Sequence, residues 1–402
     1  FLPLWKSSIV AAPYNKIKAM SDFKHLRRVL LAVALGLTLL NVAGCRRSQE
    51  NQLPQTALAR IETPRAETIV SPDWVKAMLD FQTSGGKTAR PTNYRNNNFV
   101  IVEASWAKPE AAKDYLAGHI PSAIHLNTDD VENGYPRWLL RPVNELHHVI
   151  GRLGITPETT VVVYSKQSIA AARIWWVLLY AGVSDVRFLD GGFEAWTAAG
   201  FAGETAVRTP QAVEFSARVR EEFLAKTDYV RAHLGDAGVQ LADARSRAEF
   251  AGEVSGYDYM DFKGRIPCSI NIGNADDSAR LYQNPDGMLR SFGEVRAMWQ
   301  QAGIKNDDRE VIFYCGSGWR SSVAFLHAWA MGYKRIRNYS DGWAGWSTNY
   351  IQDERAKGGT PGWRQQRSTN PIFIEAFRET GGANVAGINA RQTRSACYDS
   401  RR

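Results

Sequence analysis

Cys315 stands out among the residues of this chain that could act as nucleophiles. It follows the apolar run Val-Ile-Phe-Tyr at 311–314 and opens the segment Cys-Gly-Ser-Gly-Trp-Arg at 315–320, after which residues 321–331 have a helical pattern. This order predicts a buried strand, a glycine-rich loop and a helix in direct succession. Ligands bind open α/β sheets at the carboxyl ends of the strands. The pattern therefore places a thiol at a candidate ligand site.

The loop after Cys315 has the composition of an anion cradle. A helix N-terminus offers unpaired N–H groups and the positive end of the helix dipole, and both favour a thiolate over a thiol. Two glycines allow the backbone to turn several N–H groups inward. Such a thiolate can attack the outer sulfur of an anionic donor, hold that sulfur as a persulfide and pass it to an acceptor, which is two-step covalent catalysis. The residues predicted to bind the donor are Gly316, Ser317, Gly318, Trp319 and Arg320, the last with its charge at the rim.

Three other interpretations of this segment remain open. Cys315 could be a buried structural cysteine, as most free cysteines are, although the glycines around it argue against that. A cysteine-dependent phosphatase also places a cysteine and an arginine around a loop, but its loop is longer than the four residues found here, which suit a single sulfur atom better than a phosphate. The chain could also carry or present sulfur to a partner protein without being an enzyme.

The other cysteines are Cys45, Cys268 and Cys397, and no two cysteines form a CxxC pair. A zinc site of paired cysteines is therefore not expected, and neither is a disulfide framework in a chain of this size. Cys268 is interpreted as a packing residue. No metal and no cofactor are predicted.

Short apolar strands alternate with helical stretches along the chain. Strands are predicted at 99–102, 161–164 and 186–189, and a helix at 170–180. Another helix is expected to begin with Ser71 as N-cap and Pro72 in the first turn. Fully apolar strands between helices predict the α/β class, with parallel sheets flanked by helices on both faces.

The same order of motifs occurs twice. Gly-His-Ile-Pro at 118–121 returns as Gly-Arg-Ile-Pro at 264–267, Val-Tyr-Ser at 163–165 as Phe-Tyr-Cys at 313–315, and Gly-Phe-Glu-Ala-Trp at 192–196 as Gly-Trp-Ala-Gly-Trp at 342–346. Collinear matches at nearly one offset predict tandem domains, placed at 66–205 and 213–352. Ser165 stands where the second copy has Cys315. Because a serine hydroxyl cannot hold a stable persulfide, the first domain is predicted to be inactive.

Together these motifs resemble the rhodanese family, which includes thiosulfate and 3-mercaptopyruvate sulfurtransferases. The chain is similar to secreted multi-domain bacterial members over about residues 70–350. The resemblance implies two tandem rhodanese-like domains and a persulfide on Cys315. It also implies a small anionic sulfur donor, and a thiol, cyanide or protein as the sulfur acceptor. The Cys-Gly-Ser-Gly start of the loop is like the mercaptopyruvate branch, whereas an arginine at its end is more like thiosulfate users.

The resemblance also implies residues outside the loop. Asp243-Ala244-Arg245 is similar to the Asp-x-Arg of the family, with Asp243 as a supporting residue and Arg245 as a donor-binding one. Family members have an arginine a few residues later that contacts the donor; this chain has Glu249 there, and Arg247 is the nearby candidate. His119 could reach the cleft between the domains, and the alternative is a structural histidine in a turn.

The N-terminal part has the pattern of a secretory signal. Basic residues from Lys24 to Arg28 precede an apolar run at 29–40, and Val-Ala-Gly-Cys at 42–45 resembles a bacterial lipoprotein signal. Residues 20–45 are therefore predicted to be a signal peptide, with lipid on Cys45 and a tether at 46–65. The protein would be periplasmic and would contact the membrane only through this anchor; the alternative is simple secretion. Residues 1–19 are interpreted as upstream sequence and 353–402 as a weakly ordered tail.

Composition excludes few classes of function. The 402 residues are 44% hydrophobic and include 13 Trp, which is typical of globular packing. The formal net charge is +8, but no long basic run with interleaved aromatic residues is present, so nucleic acid is not a predicted partner.

Overall fold

The computed structural model describes residues 67–348, apart from Arg95, Asn97 and residues 135–137, 258–259, 261 and 274–279. All described residues belong to one compact unit. The predicted signal peptide with Cys45, the tether and the C-terminal tail lie outside the described residues. Within the described part, no helix is long and apolar enough to cross a membrane.

The first domain is built on a five-stranded sheet in which every neighbouring pair of strands is parallel. In space the order is β1-β5-β4-β2-β3. In chain order the strands and α-helices are β1 (Ile69–Val70), α1 (Pro72–Thr83), β2 (Phe99–Ser105), α2 (Lys113–Ala117), β3 (Ile124–Asn127), α3 (Val143–Arg152), β4 (Thr160–Tyr164), α4 (Ser168–Ala181), β5 (Asp185–Leu189) and α5 (Gly192–Ala198).

The second domain repeats this design. Its parallel sheet has the order β6-β10-β9-β7-β8, so each strand occupies the place of its counterpart in the first sheet. The tandem duplication and the α/β class expected from the sequence are confirmed. In chain order the strands and α-helices are β6 (Leu224–Ala225), α6 (Thr227–Ala232), β7 (Val239–Asp243), α7 (Arg247–Ala251), β8 (Ser269–Asn271), α8 (Phe292–Ala302), β9 (Glu310–Tyr314), α9 (Trp319–Ala330) and β10 (Ile336–Tyr339).

Each sheet is covered on both faces because its strands are apolar on both sides. In β4, Val161 and Val163 belong to the apolar cluster that includes α4, whereas Val162 and Tyr164 belong to the cluster that includes α1. The helix α1 begins as expected: Ser71 accepts a hydrogen bond from the backbone N–H of Trp74 and Pro72 is the first helical residue.

The two domains pack against each other through equivalent helices, α4 and α9. Phe325 of α9 lies between domains, with its ring centroid 6.2 Å from that of Trp175 and 6.5 Å from that of Trp176. One apolar cluster therefore runs through both domains. This burial explains why the α4 sequence is apolar on nearly every side, since a helix enclosed on all faces has no polar stripe.

We expect Phe325→Ala to lower the free energy of unfolding by about 3–5 kcal/mol, because it opens a cavity in the fully buried contact between the domains. Urea unfolding followed by circular dichroism measures the change. Val254→Ala is the control, since Val254 is 44% exposed and its truncation should change stability by no more than about 0.5 kcal/mol. A loss below about 1 kcal/mol for Phe325→Ala would contradict the assigned role of this contact.

Candidate active site

Cys315 lies between the last residue of β9 and the first turn of α9, as the sequence predicts. The segment after β10 holds the loop from one side. The backbone N–H of Trp343 donates to the carbonyl oxygen of Cys315 at 2.7 Å, and that of Ala344 donates to the carbonyl oxygen of Gly316 at 2.9 Å. The loop is therefore attached to two neighbouring strands of the sheet.

Both glycines of the loop are required by their surroundings. A Cβ atom on Gly316 would overlap the hydroxyl group of Tyr257. Gly318 is the N-cap of α9 with φ of 91°, and a Cβ atom there would lie 2.7 Å from both Arg173 Nη1 and the carbonyl oxygen of Ser340. A side chain at either position would force the loop away from its neighbours.

The loop keeps backbone donors available beside the thiol. Among the described residues, the N–H groups of Gly316, Ser317 and Gly318 have no hydrogen-bond acceptor. They precede the first turn of α9, whose own N–H groups have no acceptor within the helix. An anion next to Cys315 can therefore be bound by the main chain alone.

Two polar residues near the sulfur, Ser321 and Asn338, were not predicted from the sequence. Ser321 Oγ lies 3.6 Å from Cys315 Sγ and 2.7 Å from Asn338 Oδ1. A hydroxyl group has one proton, so it can donate to only one of these atoms at a time. Donation to Asn338 fits a neutral thiol, and donation to sulfur fits a thiolate.

Cys315 is the free cysteine of the part of the chain that the structure describes. Its side chain is 1% exposed and packs in the apolar cluster shared by the domains. Tyr257 lies over Gly316, and burial raises the pKa of the Tyr257 hydroxyl despite the opposing charge of Arg320.

Cys268 is disulfide-bonded, whereas the sequence predicts a packing residue at this position.

The sequence predicts the Arg320 charge at the rim of the site. In the structure this side chain lies in the interior and is 4% exposed. Its Nη1 and Nη2 atoms donate to the two carboxylate oxygens of Glu249 at 2.7 and 2.8 Å, and Nη2 also contacts the Tyr257 hydroxyl. Burial alone would raise the pKa of Glu249, but the hydrogen bonds and charge of Arg320 outweigh it and lower that pKa. Much of the Arg320 charge is therefore neutralised before a donor arrives.

Arg245 is also held by contacts in the protein interior. It is fully buried, with Nη2 2.7 Å from Asp243 Oδ2 and 2.7 Å from the carbonyl oxygen of Gly264. Its guanidinium lies over the rings of Tyr314 and Trp343, at 5.7 and 5.1 Å. The Asp243–Arg245 pair thus connects β7 to the loop at 264 and to the end of β9, and donor binding by Arg245 stays a prediction.

Arg247 and His119 are placed differently from each other. Arg247 is the exposed first residue of α7. His119 is fully buried, stacks on Tyr115 with ring centroids 3.9 Å apart, and lies 3.7 Å from Glu204. These neighbours of His119 belong to the first domain, so its placement matches the structural alternative rather than a position in the cleft.

Ser165 occupies the place of Cys315 in the first domain. Its hydroxyl accepts a hydrogen bond from the backbone N–H of Gln167 at 3.1 Å. The Ser165 hydroxyl therefore stabilises the loop that follows β4.

The first domain also contributes residues that contact the loop at 315–320. Trp319 Nε1 donates to Glu132, with distances of 3.1 and 3.2 Å to its two carboxylate oxygens, and the Trp106 ring stacks on Trp319 with centroids 5.3 Å apart. Arg173 forms an ion pair with Glu132 at 2.7 Å. Burial raises the pKa of Glu132 to about 7, although Arg173 opposes the shift. The sequence offered one signal for this group, a charge inside the otherwise apolar run of α4.

No group of three or more His, Cys, Asp or Glu side chains in the described ranges is arranged to hold a metal ion.

Comparison with known proteins identifies relatives for both domains. The model of the Rhodanese-like domain matches residues 93–199 and 226–349, more than half of the chain. The thiosulfate sulfurtransferase YnjE of Escherichia coli K12 is 34% identical over 321 residues, covering 78% of this chain and 69% of that protein. The sulfur carrier protein TtuD of Thermus thermophilus is 32% identical over 304 residues, covering 73% of this chain and 97% of that protein.

A solved structure is similar over the same region. The anaerobic ergothioneine biosynthesis enzyme from Chlorobium limicola, in complex with its natural substrate trimethyl histidine, superimposes with a TM-score of 0.65 at 33% identity, covering 72% of this chain and 69% of that one. Two parallel sheets of the same strand order, the cysteine loop of the second copy and these relatives lead to one assignment. The chain belongs to the rhodanese family of sulfurtransferases, with two rhodanese-like domains in tandem.

Proposed function

We propose that this chain transfers a sulfane sulfur from an anionic donor, thiosulfate or 3-mercaptopyruvate, to a thiophilic acceptor through a persulfide on Cys315. The observation that carries the proposal is a free thiol at the end of β9 beside loop N–H groups that have no acceptor within the described residues. The Cys315 thiolate attacks the outer sulfur, and the new S–S bond forms as the donor bond to that sulfur breaks. From thiosulfate, sulfite leaves with the electron pair of the broken bond; from 3-mercaptopyruvate, the enolate of pyruvate leaves with it and is then protonated to pyruvate.

The second half of the reaction returns the enzyme to its starting state. Cyanide or a thiol attacks the outer sulfur of the persulfide, and the electron pair of the S–S bond returns to Cys315. The Ser321 hydroxyl, 3.6 Å from Sγ, can donate to the thiolate before and after the transfer. Because Cys315 is almost completely buried and Tyr257 lies over the neighbouring Gly316, we infer that Tyr257 moves when a substrate enters.

The environment of Arg320 bears on the identity of the donor. Since Glu249 neutralises this arginine, the loop binds anions mainly through its amides. Arg247, exposed at the start of α7, is the remaining candidate for a second charge. We propose that the site favours a donor with one negative charge, such as 3-mercaptopyruvate, over the dianion thiosulfate.

A second candidate concerns the acceptor. The likeness to the enzyme from Chlorobium limicola spans both domains at 33% identity, and its natural substrate is trimethyl histidine. An imidazole carbon could then take the outer sulfur, losing its proton as the C–S bond forms and Cys315 regains the electron pair. The similarity to a sulfur carrier protein makes a protein the other candidate acceptor.

The persulfide is tested by mass spectrometry of the chain after incubation with thiosulfate or 3-mercaptopyruvate. We expect the Cys315 peptide to gain about 32 Da, one sulfur atom, and Cys315→Ser to gain none while its circular dichroism spectrum is unchanged. The loaded protein is then mixed with cyanide or with trimethyl histidine, and sulfur transfer gives thiocyanate or a thione. Release of phosphate from an aryl phosphate would instead indicate a phosphatase. Sulfur uptake by Cys315→Ser, or phosphate release alone, would refute the proposal.

We expect Glu249→Gln to lower the KM for thiosulfate by about fivefold, or about 1 kcal/mol, because it removes the negative charge that neutralises Arg320. The KM for 3-mercaptopyruvate should change less. Glu294→Gln is the matched control, since Glu294 closes the same kind of capping box on α8 as Glu249 does on α7, at an exposed position. An unchanged or higher KM for thiosulfate would show that the Arg320 charge does not act on the donor.

We also propose that the protein is exported and held to a bacterial membrane by lipid on Cys45, on the strength of the signal pattern at 20–45. We expect Cys45→Ala to move the protein from the membrane fraction to the soluble periplasmic fraction, with sulfur transfer retained. Immunoblotting of the fractions measures this, and continued sedimentation of Cys45→Ala with membranes would exclude a lipid anchor on that residue.

A further inference from the structure

We propose that Glu132 of the first domain is a positioning residue for the catalytic loop of the second, and that it acts through Trp319. The inference rests on the proposed function, because it assigns the domain without a nucleophile a part in the reaction at Cys315. Trp319 is the first residue of α9 and the last but one of the loop at 315–320. Its position therefore affects where the loop amides point.

The first domain contacts Trp319 on two sides. On its edge, the indole N–H donates to Glu132, whose two oxygens are 3.1 and 3.2 Å away. On its face, the ring of Trp106 is stacked with an interplanar angle of 9°. Trp106 is 39% exposed, so the stacked pair lies at the surface while the hydrogen bond lies inside. An edge contact and a face contact together fix both the position and the tilt of the ring.

Arg173 makes this arrangement possible. Glu132 and Arg173 are both fully buried, and a buried carboxylate is costly unless it is paired. Arg173 Nε donates to Glu132 Oε1 at 2.7 Å, and Nη2 donates to Ser340 Oγ at 2.9 Å in the second domain. Arg173 thus compensates the Glu132 charge and reaches the residue whose carbonyl oxygen lies against Gly318.

These contacts converge on one backbone segment. Glu132 acts on Trp319 directly, and Arg173 and Ser340 lie against Gly318, the N-cap of α9. The amides that bind the donor and the developing charge lie between Cys315 and this point. Small displacements of such groups change rates strongly, because they act only when they are already oriented. Loss of the Glu132 contact should therefore reduce the rate of sulfur transfer more than it reduces the affinity for donor.

The first test separates positioning from folding. We expect Glu132→Leu to lower kcat about tenfold per reactive Cys315, with the donor KM within about twofold of wild type. Glu132→Gln keeps an oxygen acceptor for Trp319 and should recover most of that loss. Asp185→Asn is the control: it neutralises a carboxylate that is paired with Arg187 at the start of β5, the strand between β1 and β4, and should leave kcat unchanged. Wild-type kcat in Glu132→Leu would overturn the proposal.

The second test asks whether Glu132 acts through Trp319. Trp319→Phe retains a ring to stack on Trp106 but lacks the N–H group. If Glu132 acts through this bond, the double variant Glu132→Leu/Trp319→Phe loses about as much kcat as either single variant. Losses that multiply in the double variant would show that the two residues act independently and would overturn the inference.

The third test does not depend on sulfur chemistry, so failure of this inference can be told from failure of the proposed function. Alkylation of the Cys315 peptide by iodoacetamide is followed against pH. In Glu132→Leu the midpoint should rise by about one pH unit, because less well oriented amides stabilise the thiolate less. An unchanged midpoint in Glu132→Leu would overturn the positioning role. If the midpoint rises in Glu132→Leu but the wild-type protein takes up no sulfur, only the proposed function is refuted.

Discussion

The structure depends on the close approach of neighbouring groups to the backbone that follows Cys315. Tyr257 on one side and Arg173 with Ser340 on the other leave no room for a Cβ atom on Gly316 or Gly318. Two backbone hydrogen bonds from residues 343 and 344 hold the same segment to the chain that follows β10. A loop enclosed in this way keeps its N–H groups oriented without a bound anion, which is the preorganisation that a transfer site requires.

Three arginines surround this loop, and all three are paired with carboxylates in the interior: Arg173 with Glu132, Arg245 with Asp243 and Arg320 with Glu249. Buried ion pairs add little net stability, since desolvation offsets much of their attraction. Their geometry is nevertheless restrictive, because each guanidinium and each carboxylate must find the other. Here the pairs connect β7, α7 and the first domain to the segment around Cys315. Each of the three charges is thus compensated by a carboxylate, whereas the N–H groups of residues 316–318 have no acceptor within the described residues.

The two copies of the fold differ at one equivalent position. The second copy holds Cys315, and the first holds Ser165, whose hydroxyl stabilises its own loop. The equivalent helices α4 and α9 pack together, so that the fully buried α4 can bring Arg173 to the loop of the other copy. The first domain, which has a serine at this position, therefore contacts the loop that follows Cys315.

The local architecture could be predicted from the amino-acid sequence. Apolar runs, glycines and helical periodicity predicted the strand, loop and helix around Cys315 and the Ser71 cap, because these are short-range properties. The alternation of apolar strands with helices predicted the parallel sheets, and the repeated motifs predicted the duplication. The partners of the charged side chains were decided only by the tertiary structure. Arg320 meets Glu249 across 71 positions of sequence, and Trp319 meets Glu132 across 187. Periodicity reports which face of its own element a residue occupies, and it contains no information on which distant carboxylate will face that side chain once the domains have packed.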